Sequence, residues 1–262
     1  MSTEVAEREF TSLAGIAQQL GIRPPGPRHI QRRWVSIVTG GHVSGLTWGK
    51  PSYDLVLLHE AGRSARQWDR LLLELDRPAL AVDLPGHGRS DRRDNGVYAP
   101  RRLAGPVAEA IRSFAPGRKV VAGAGLGALT AIALSIRHPD LIGRLVLLDT
   151  LPGTLDTLPA YRTHSSPEEA RAWLEEHRPG TDDDVRTELL READGHWVWR
   201  HHLPVSPDLD DETLWGPLAS VQAPVVLVRG RRLDDAAVER FRAELPNAHV
   251  TTDPHTTLGG TP

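Results

Sequence analysis

Apolar positions along the chain follow two rhythms. From Tyr53 onward, short continuous apolar runs, "DLVLLHE", "ALAVDLP", "KVVAGAG", "GRLVLLDT", "PVVLVRG" and "AHVTTDP", alternate with stretches of helical period. Continuous runs followed by helices predict strands of a parallel sheet covered on both faces. Upstream, "RRWVSIV" and "HVSGLTWG" are β-rich and separated by "TGG", which predicts a hairpin. The first residues have the spacing of an amphipathic helix ending at Gly21, with a proline-rich connector through Pro27. Between Leu151 and about Gly216 the strand pattern stops, and polar helical segments such as "SSPEEARAWLEEHRPG" take over. The pattern therefore predicts an α/β fold: residues 1–27 a helix and connector, 28–150 and 216–262 the core, and 151–215 a helical cap inserted between two strands.

Composition narrows the function classes. A length of 262 residues can bury a full single-domain core. The formal net charge is −3 and the basic residues are scattered, which argues against a nucleic-acid partner. With no cysteine, disulfides, thiolate nucleophiles and cysteine-ligated metals are excluded. The start lacks the basic and apolar blocks of a signal peptide, and no apolar run reaches membrane-spanning length. A cytoplasmic protein without a membrane partner is expected, and nothing in the chain specifies an oligomeric state.

Chemistry concentrates at "VVAGAGLGAL", residues 120–129, where glycines stud a strand-to-helix turn. Two motifs fit. Gly123-Ala124-Gly125-Leu126-Gly127-Ala128 satisfies the dinucleotide-binding pattern G-x-G-x-x-G/A, with an acidic residue, Asp149, 21 residues beyond Ala128. It also satisfies a nucleophile elbow, G-x-S-x-G, with outer glycines Gly123 and Gly127 and glycine at the central position.

The surroundings of this turn favour the second motif. "LVLLHEAGRSARQWDRL" resembles the third strand and oxyanion loop of the α/β-hydrolase superfamily, with Glu60 where that family usually has glycine. "ALAVDLPGHGRSD" is similar to its fourth strand and following turn. "APVVLVRGRRLDDAAVERF" resembles its seventh strand, and "PNAHVTTDPHTTL" its eighth strand running into the catalytic histidine. The resemblance runs from Arg28 to the C-terminus and is weakest in the cap. It implies an α/β-hydrolase fold with a mostly parallel sheet, Gly125 in the seat of the missing nucleophile, and backbone donors at Ala61 and Leu126.

Within that resemblance, His255 in "TTDPHTT" occupies the position of the catalytic histidine. Its orienting acid is either Asp149, which ends the sixth strand, or Asp234, beside the usual position after the seventh. Glu60 has two options: to enter the site opposite His255 as an acid, or to turn outward toward Arg63 or Arg66. His59 and His87 read as structural hydrogen-bonders and Trp68 as core. Ser64 has no base evidently beside it. In "GHWVWRHHL", Trp197, Trp199 and His201 alternate, so an extended backbone would turn them to one face and let them line a substrate pocket. His196, His201 and His202 fit no helical two-ligand spacing, so no metal is expected.

Without an oxygen or sulfur at position 125 no acyl-enzyme forms there by the usual route. The expectation is accordingly a cofactor-free enzyme that uses acid/base chemistry on a small apolar molecule, by elimination, cyclisation, isomerisation, C–C cleavage or water-mediated hydrolysis, in the manner of natural-product tailoring. A catalytically silent binding protein is the alternative, and dinucleotide binding the third.

Overall fold

The computed structural model describes residues 9–24, 26, 29–92, 96–155, 162–177, 185–201 and 212–259. Pro25, Pro27, His202 and several stretches of the expected cap lie outside the described residues. The strands are β1 (Ile30–Ser36), β2 (His42–Trp48), β3 (Leu55–Leu58), β4 (Ala79–Val82), β5 (Lys119–Ala124), β6 (Ile142–Leu148), β7 (Leu189–Arg191), β8 (Trp197–Trp199), β9 (Val225–Val228) and β10 (His249–Thr251). The helices are α1 (Ser12–Leu20), α2 (Asp69–Leu75), α3 (Pro100–Phe114), α4 (Leu126–Arg137), α5 (Pro167–His177), α6 (Val185–Glu188), α7 (Trp215–Ala219), α8 (Asp235–Glu244) and α9 (Pro254–Gly259).

Eight strands form one sheet in the order β1-β2-β4-β3-β5-β6-β9-β10. β2 runs antiparallel to both β1 and β4, and the remaining pairs are parallel. The β1–β2 hairpin closes on Gly40 and Gly41, whose φ values of 88° and 80° suit glycine. Apolar side chains on the central strands are buried on both faces, which explains why those strands read as continuous apolar runs. Val56 and Leu58 of β3 pack with Leu103 and Val107 of α3 and Leu129 of α4, while Leu55 and Leu57 pack with Leu13 of α1, Leu72 of α2 and Leu258 of α9. Each such leucine contributes about 1.5–3 kcal/mol of transfer free energy on leaving water.

The segment between β6 and β9 is not purely helical. β7 and β8 pair antiparallel, Leu189 opposite Trp199 and Arg191 opposite Trp197. Trp173 and Leu174 of α5, Val185 of α6, Leu189 and Trp199 make a separate small core there. The expected cap between Leu151 and Gly216 was helical, and this hairpin departs from that expectation. Its turn signal, Gly195 at φ 90°, sits within a segment otherwise rich in helix formers.

One buried ionic cluster fixes the edge of the site. Arg32 of β1 donates from Nη1 to Asp83 Oδ2 at 2.6 Å and pairs through Nη2 with Glu9 Oε1 at 2.6 Å. Asp83 Oδ1 accepts the backbone N–H of Ala65 at 2.7 Å. Despite full burial, Asp83 stays below the usual carboxylate range, because the attraction of Arg32 and these N–H donors outweigh desolvation. The loop after β3 is thereby pinned to the end of β4.

Candidate active site

β5 turns into α4 at Gly125, whose backbone lies at φ 52° and ψ −127°. Side-chain-bearing residues hold such a conformation at a cost of about 1–3 kcal/mol, and glycine adopts it freely. The flanking glycines are required by contact. A Cβ on Gly123 would sit 2.5 Å from the Gly127 carbonyl, and one on Gly127 would sit 2.2 Å from the Leu58 carbonyl oxygen. The turn is held below by Thr150, whose Oγ1 accepts the Gly125 N–H at 2.8 Å and donates to the Leu148 carbonyl at 2.9 Å. Leu126 opens α4, so its N–H belongs to the unbonded first turn of a helix, the end that carries the positive pole of the dipole.

Glu60 lies directly beside this turn. A Cβ built on Gly125 would meet Glu60 Cγ at 3.1 Å and Cβ at 3.2 Å, so the Glu60 side chain borders the space that a side chain at position 125 would enter. Its backbone N–H donates to Gln67 Oε1 at 2.9 Å, and its Oε1 accepts from Arg232 Nη1 at 3.1 Å. Glu60 borders the turn and its Oε1 is met by Arg232, far along the chain, while Arg66 is engaged by Asp69 at 2.5 Å and by the Glu9 carbonyl. Sequence inspection passed over Arg232, since "RGRR" offers several arginines in a loop with nothing local to choose among them.

Asp149 and Asp234, the alternative acids, both hold backbone. Asp149, at φ 46°, accepts the N–H groups of Gly230 at 2.8 Å, Arg232 at 2.9 Å and Leu233 at 3.3 Å. Asp234 caps α8 by accepting the Ala237 N–H at 2.8 Å. His255 lies in the first turn of α9, with its side chain half exposed, and its Nε2 is 3.4 Å from Glu74 Oε2 on α2. The structure thus brings Glu60 to Gly125, and Asp149 to the loop of Arg232, but gives His255 a partner outside that group.

The buried histidines are hydrogen-bonders. His59 Nδ1 donates to the Glu60 carbonyl at 2.7 Å, and its Nε2 accepts the Leu84 N–H at 2.9 Å, which fixes a neutral tautomer. Burial pulls its pKa down to about 4. His87 donates from Nδ1 to the Pro85 carbonyl at 3.1 Å, with its ring 5.1 Å from that of His59. The cap hairpin reaches the same place: the His201 ring is stacked 6.2 Å from His87, and the Trp199 ring lies 5.7 Å from His201. Trp199 donates from Nε1 to His164 Nε2 at 3.1 Å, and Trp197 is half-buried beside it. Trp68 is core. Ser64 does have an acidic neighbour: its Oγ donates to Glu188 Oε1 at 2.6 Å, both groups buried. The partners stand 124 positions apart, too distant for any local signal.

The sequence model of the alpha/beta hydrolase family matches residues 55–260. The chain is 34% identical over 241 residues to Esterase Rv0045c of Mycobacterium tuberculosis, covering 85% of this chain and 78% of that protein. A crystal structure of that esterase superposes with a TM-score of 0.80 at 32% identity, over 95% of this chain and 94% of the other. The crystal structure of E-2-(acetamidomethylene)succinate hydrolase superposes with a TM-score of 0.74 over 88% of this chain and 97% of the other; at 22% identity it supports the fold. These similarities overturn the expected nucleophile-lacking enzyme of acid/base chemistry, whether by elimination, cyclisation, isomerisation, C–C cleavage or water-mediated hydrolysis, and the silent-binder alternative with it. The extended similarity is to a protein named an esterase, and it points to hydrolase activity. The dinucleotide reading falls as well, because the glycine turn follows the third parallel strand in a sheet shared with hydrolases.

Proposed function

The chain belongs to the alpha/beta hydrolase family, and from that premise we propose that it is a hydrolase of carboxylic esters. The observation that carries this is the 34% identity with an esterase along 85% of the chain. Gly125 then takes the elbow position of the family's nucleophile, and Glu60 that of the oxyanion-loop glycine. The φ and ψ of Gly125 and the two tight outer glycines support that placement.

In this reading the ester carbonyl lies over the turn, with its oxygen toward the backbone N–H groups of Leu126 and Ala61. Donors aimed where negative charge develops stabilise the tetrahedral intermediate, and removal of one such donor typically costs about 10²–10³-fold in rate. The acyl or alcohol portion is small and apolar and packs beneath the cap hairpin. Support for that comes from His201, whose ring stacks 6.2 Å from His87, and from Trp199, 5.7 Å from His201.

The test is hydrolysis of p-nitrophenyl esters from acetate to octanoate by the purified protein. Saturable turnover above the buffer rate is expected, with short and medium acyl chains preferred. A rate equal to buffer across the whole series would overturn the assignment.

A further inference from the structure

Glu60 and Arg232 meet although they leave the sheet from different strands. Glu60 follows β3 and Arg232 follows β9, and the order β3-β5-β6-β9 puts three strand spacings, about 14 Å, between those strands. A contact between the two residues therefore passes over the carboxyl ends of β5 and β6, the crevice where ligands settle in open α/β sheets. The crossing is built from both sides. Asp149, just past β6, accepts the N–H groups of Gly230, Arg232 and Leu233 and so draws the loop after β9 back over β6. From there the Arg232 guanidinium reaches Glu60 Oε1 at 3.1 Å. On the other side the Glu60 stem lies against the turn, its Cβ and Cγ 3.1–3.2 Å from where a Cβ on residue 125 would be. Gln67 holds the Glu60 backbone by accepting its N–H. Gly125 is buried beneath this arrangement. Glycine at 125 and glutamate at 60 thus belong together, because a side chain at 125 would press on the Glu60 stem that borders its space.

We propose that the Glu60–Arg232 pair is a specificity-determining strap across the site: it takes up the room that a long acyl chain needs and limits the substrates to esters of short acids. This rests on the assignment of ester hydrolysis above and deepens it. The carboxylate is held by the guanidinium, so the pair acts as a wall and takes no part in proton transfer. A long apolar chain pressed against that wall would strip water from two charges and offer no hydrogen bond in return. The side chains of Glu60 and Arg232 are 21% and 31% exposed, so the pair is sheltered from bulk water yet still screened by salt.

The experiment measures kcat/KM on p-nitrophenyl acetate, butyrate, hexanoate and octanoate for wild type, Glu60→Ala, Arg232→Ala and Arg232→Lys, with thermal melting to confirm folding. A single methylene that a pocket does not fit costs about 10–200-fold. Wild type is therefore expected to be at least about tenfold poorer on octanoate than on butyrate. Each alanine variant should raise the octanoate-to-butyrate ratio by about tenfold or more, and Arg232→Lys, which keeps the ion pair, should stay near wild type. Salt raised to about 1 M, where the screening length is about 3 Å, should lift the wild-type ratio more than that of either alanine variant. In parallel, isothermal titration with methyl ketones of the same chain lengths, which bind without being hydrolysed, should show a length limit in wild type that both alanine variants remove.

An octanoate-to-butyrate ratio shared by folded wild type and both alanine variants overturns the strap and leaves ester hydrolysis standing. A wild type that prefers octanoate overturns it too. A wild-type rate equal to buffer removes the assignment of hydrolysis instead, and the ketone series then decides the strap by itself: one length limit common to all the proteins overturns it.

Discussion

Asp149 holds Arg232 in place: its Oδ2 accepts the Arg232 backbone N–H at 2.9 Å, and the Arg232 guanidinium reaches Glu60 at 3.1 Å. A residue at the end of β6 thus sets the geometry of one at the end of β3 through a loop that follows β9. Asp149→Ala leaves three N–H groups without this acceptor, and is expected to lower stability by about 1–3 kcal/mol, since hydrogen bonds to charged groups sit at that level. Asp149→Asn should be milder, because asparagine tolerates positive φ and keeps one carbonyl oxygen. Urea unfolding followed by circular dichroism would rank the two; equal midpoints for Asp149→Ala and wild type would refute the brace.

Gly125 and Glu60 should be energetically coupled. Gly125→Ser places a Cβ within 3.1 Å of Glu60 Cγ in a backbone conformation that already costs a side-chain-bearing residue about 1–3 kcal/mol. Adding Glu60→Gly relieves the contact but not the backbone strain. A double-mutant cycle by chemical denaturation should give a coupling of about 0.5–3 kcal/mol in favour of the double variant. Additive effects would show that the two sites do not share space.

The outer glycine Gly127 admits no side chain. In Gly127→Ala the new methyl would meet the Leu58 carbonyl oxygen at 2.2 Å, backbone against backbone with no flexible side chain to yield. Overpacking of this kind costs about 1–3 kcal/mol or more. Thermal melting should show a clear fall in Tm, and an unchanged Tm would mean that the β3–α4 approach is looser than described.

Ser64 and Glu188 join the core to the cap through one buried bond at 2.6 Å. Ser64→Ala removes a hydrogen bond to a charged group, a loss of about 1.5–3 kcal/mol. Because the bond joins two units, the local consequence should be faster amide exchange in residues 189–199, with core strands β3 and β5 unaffected. Uniform acceleration across the chain would assign the loss to global stability instead.

Acid should destabilise the fold through His59. Its folded pKa, about 4, lies below the ordinary value of 6.5, because burial disfavours the imidazolium more than Asp83 favours it. The unfolded chain therefore binds this proton first as pH falls. The stabilisation is complete above pH 6.5 and is lost as pH drops toward 4, a difference of about 3 kcal/mol. Unfolding free energies at pH 7 and pH 4 should differ by at least this share, and His59→Gln should shrink the difference. A slope unchanged by His59→Gln would place the titration elsewhere.

Much was written locally. Apolar runs such as "LVLL" and "VVLV" announced buried parallel strands because a sheet covered on both faces has no polar side to alternate with. The Gly123, Gly125 and Gly127 turn announced itself because tight backbone approach and positive φ admit almost only glycine, and glycine is visible in the one-letter text. Of the β7–β8 hairpin only β8 left a trace, the alternation of Trp197 and Trp199, because the three residues of β7 sit amid helix formers and carry no periodicity of their own.

Sequence by itself therefore determined the strand and helix plan and the bend at Gly125, because both depend on neighbours in the chain. Only the tertiary structure decided what the polar residues do. Asp149, Asp234, His255 and Glu60 each had several partners within chemical reason, and a charge settles on whichever opposite charge or N–H group folding brings within about 3 Å. Arg232 reaches Glu60 across 172 positions, a contact made by sheet order and one that no local pattern encodes.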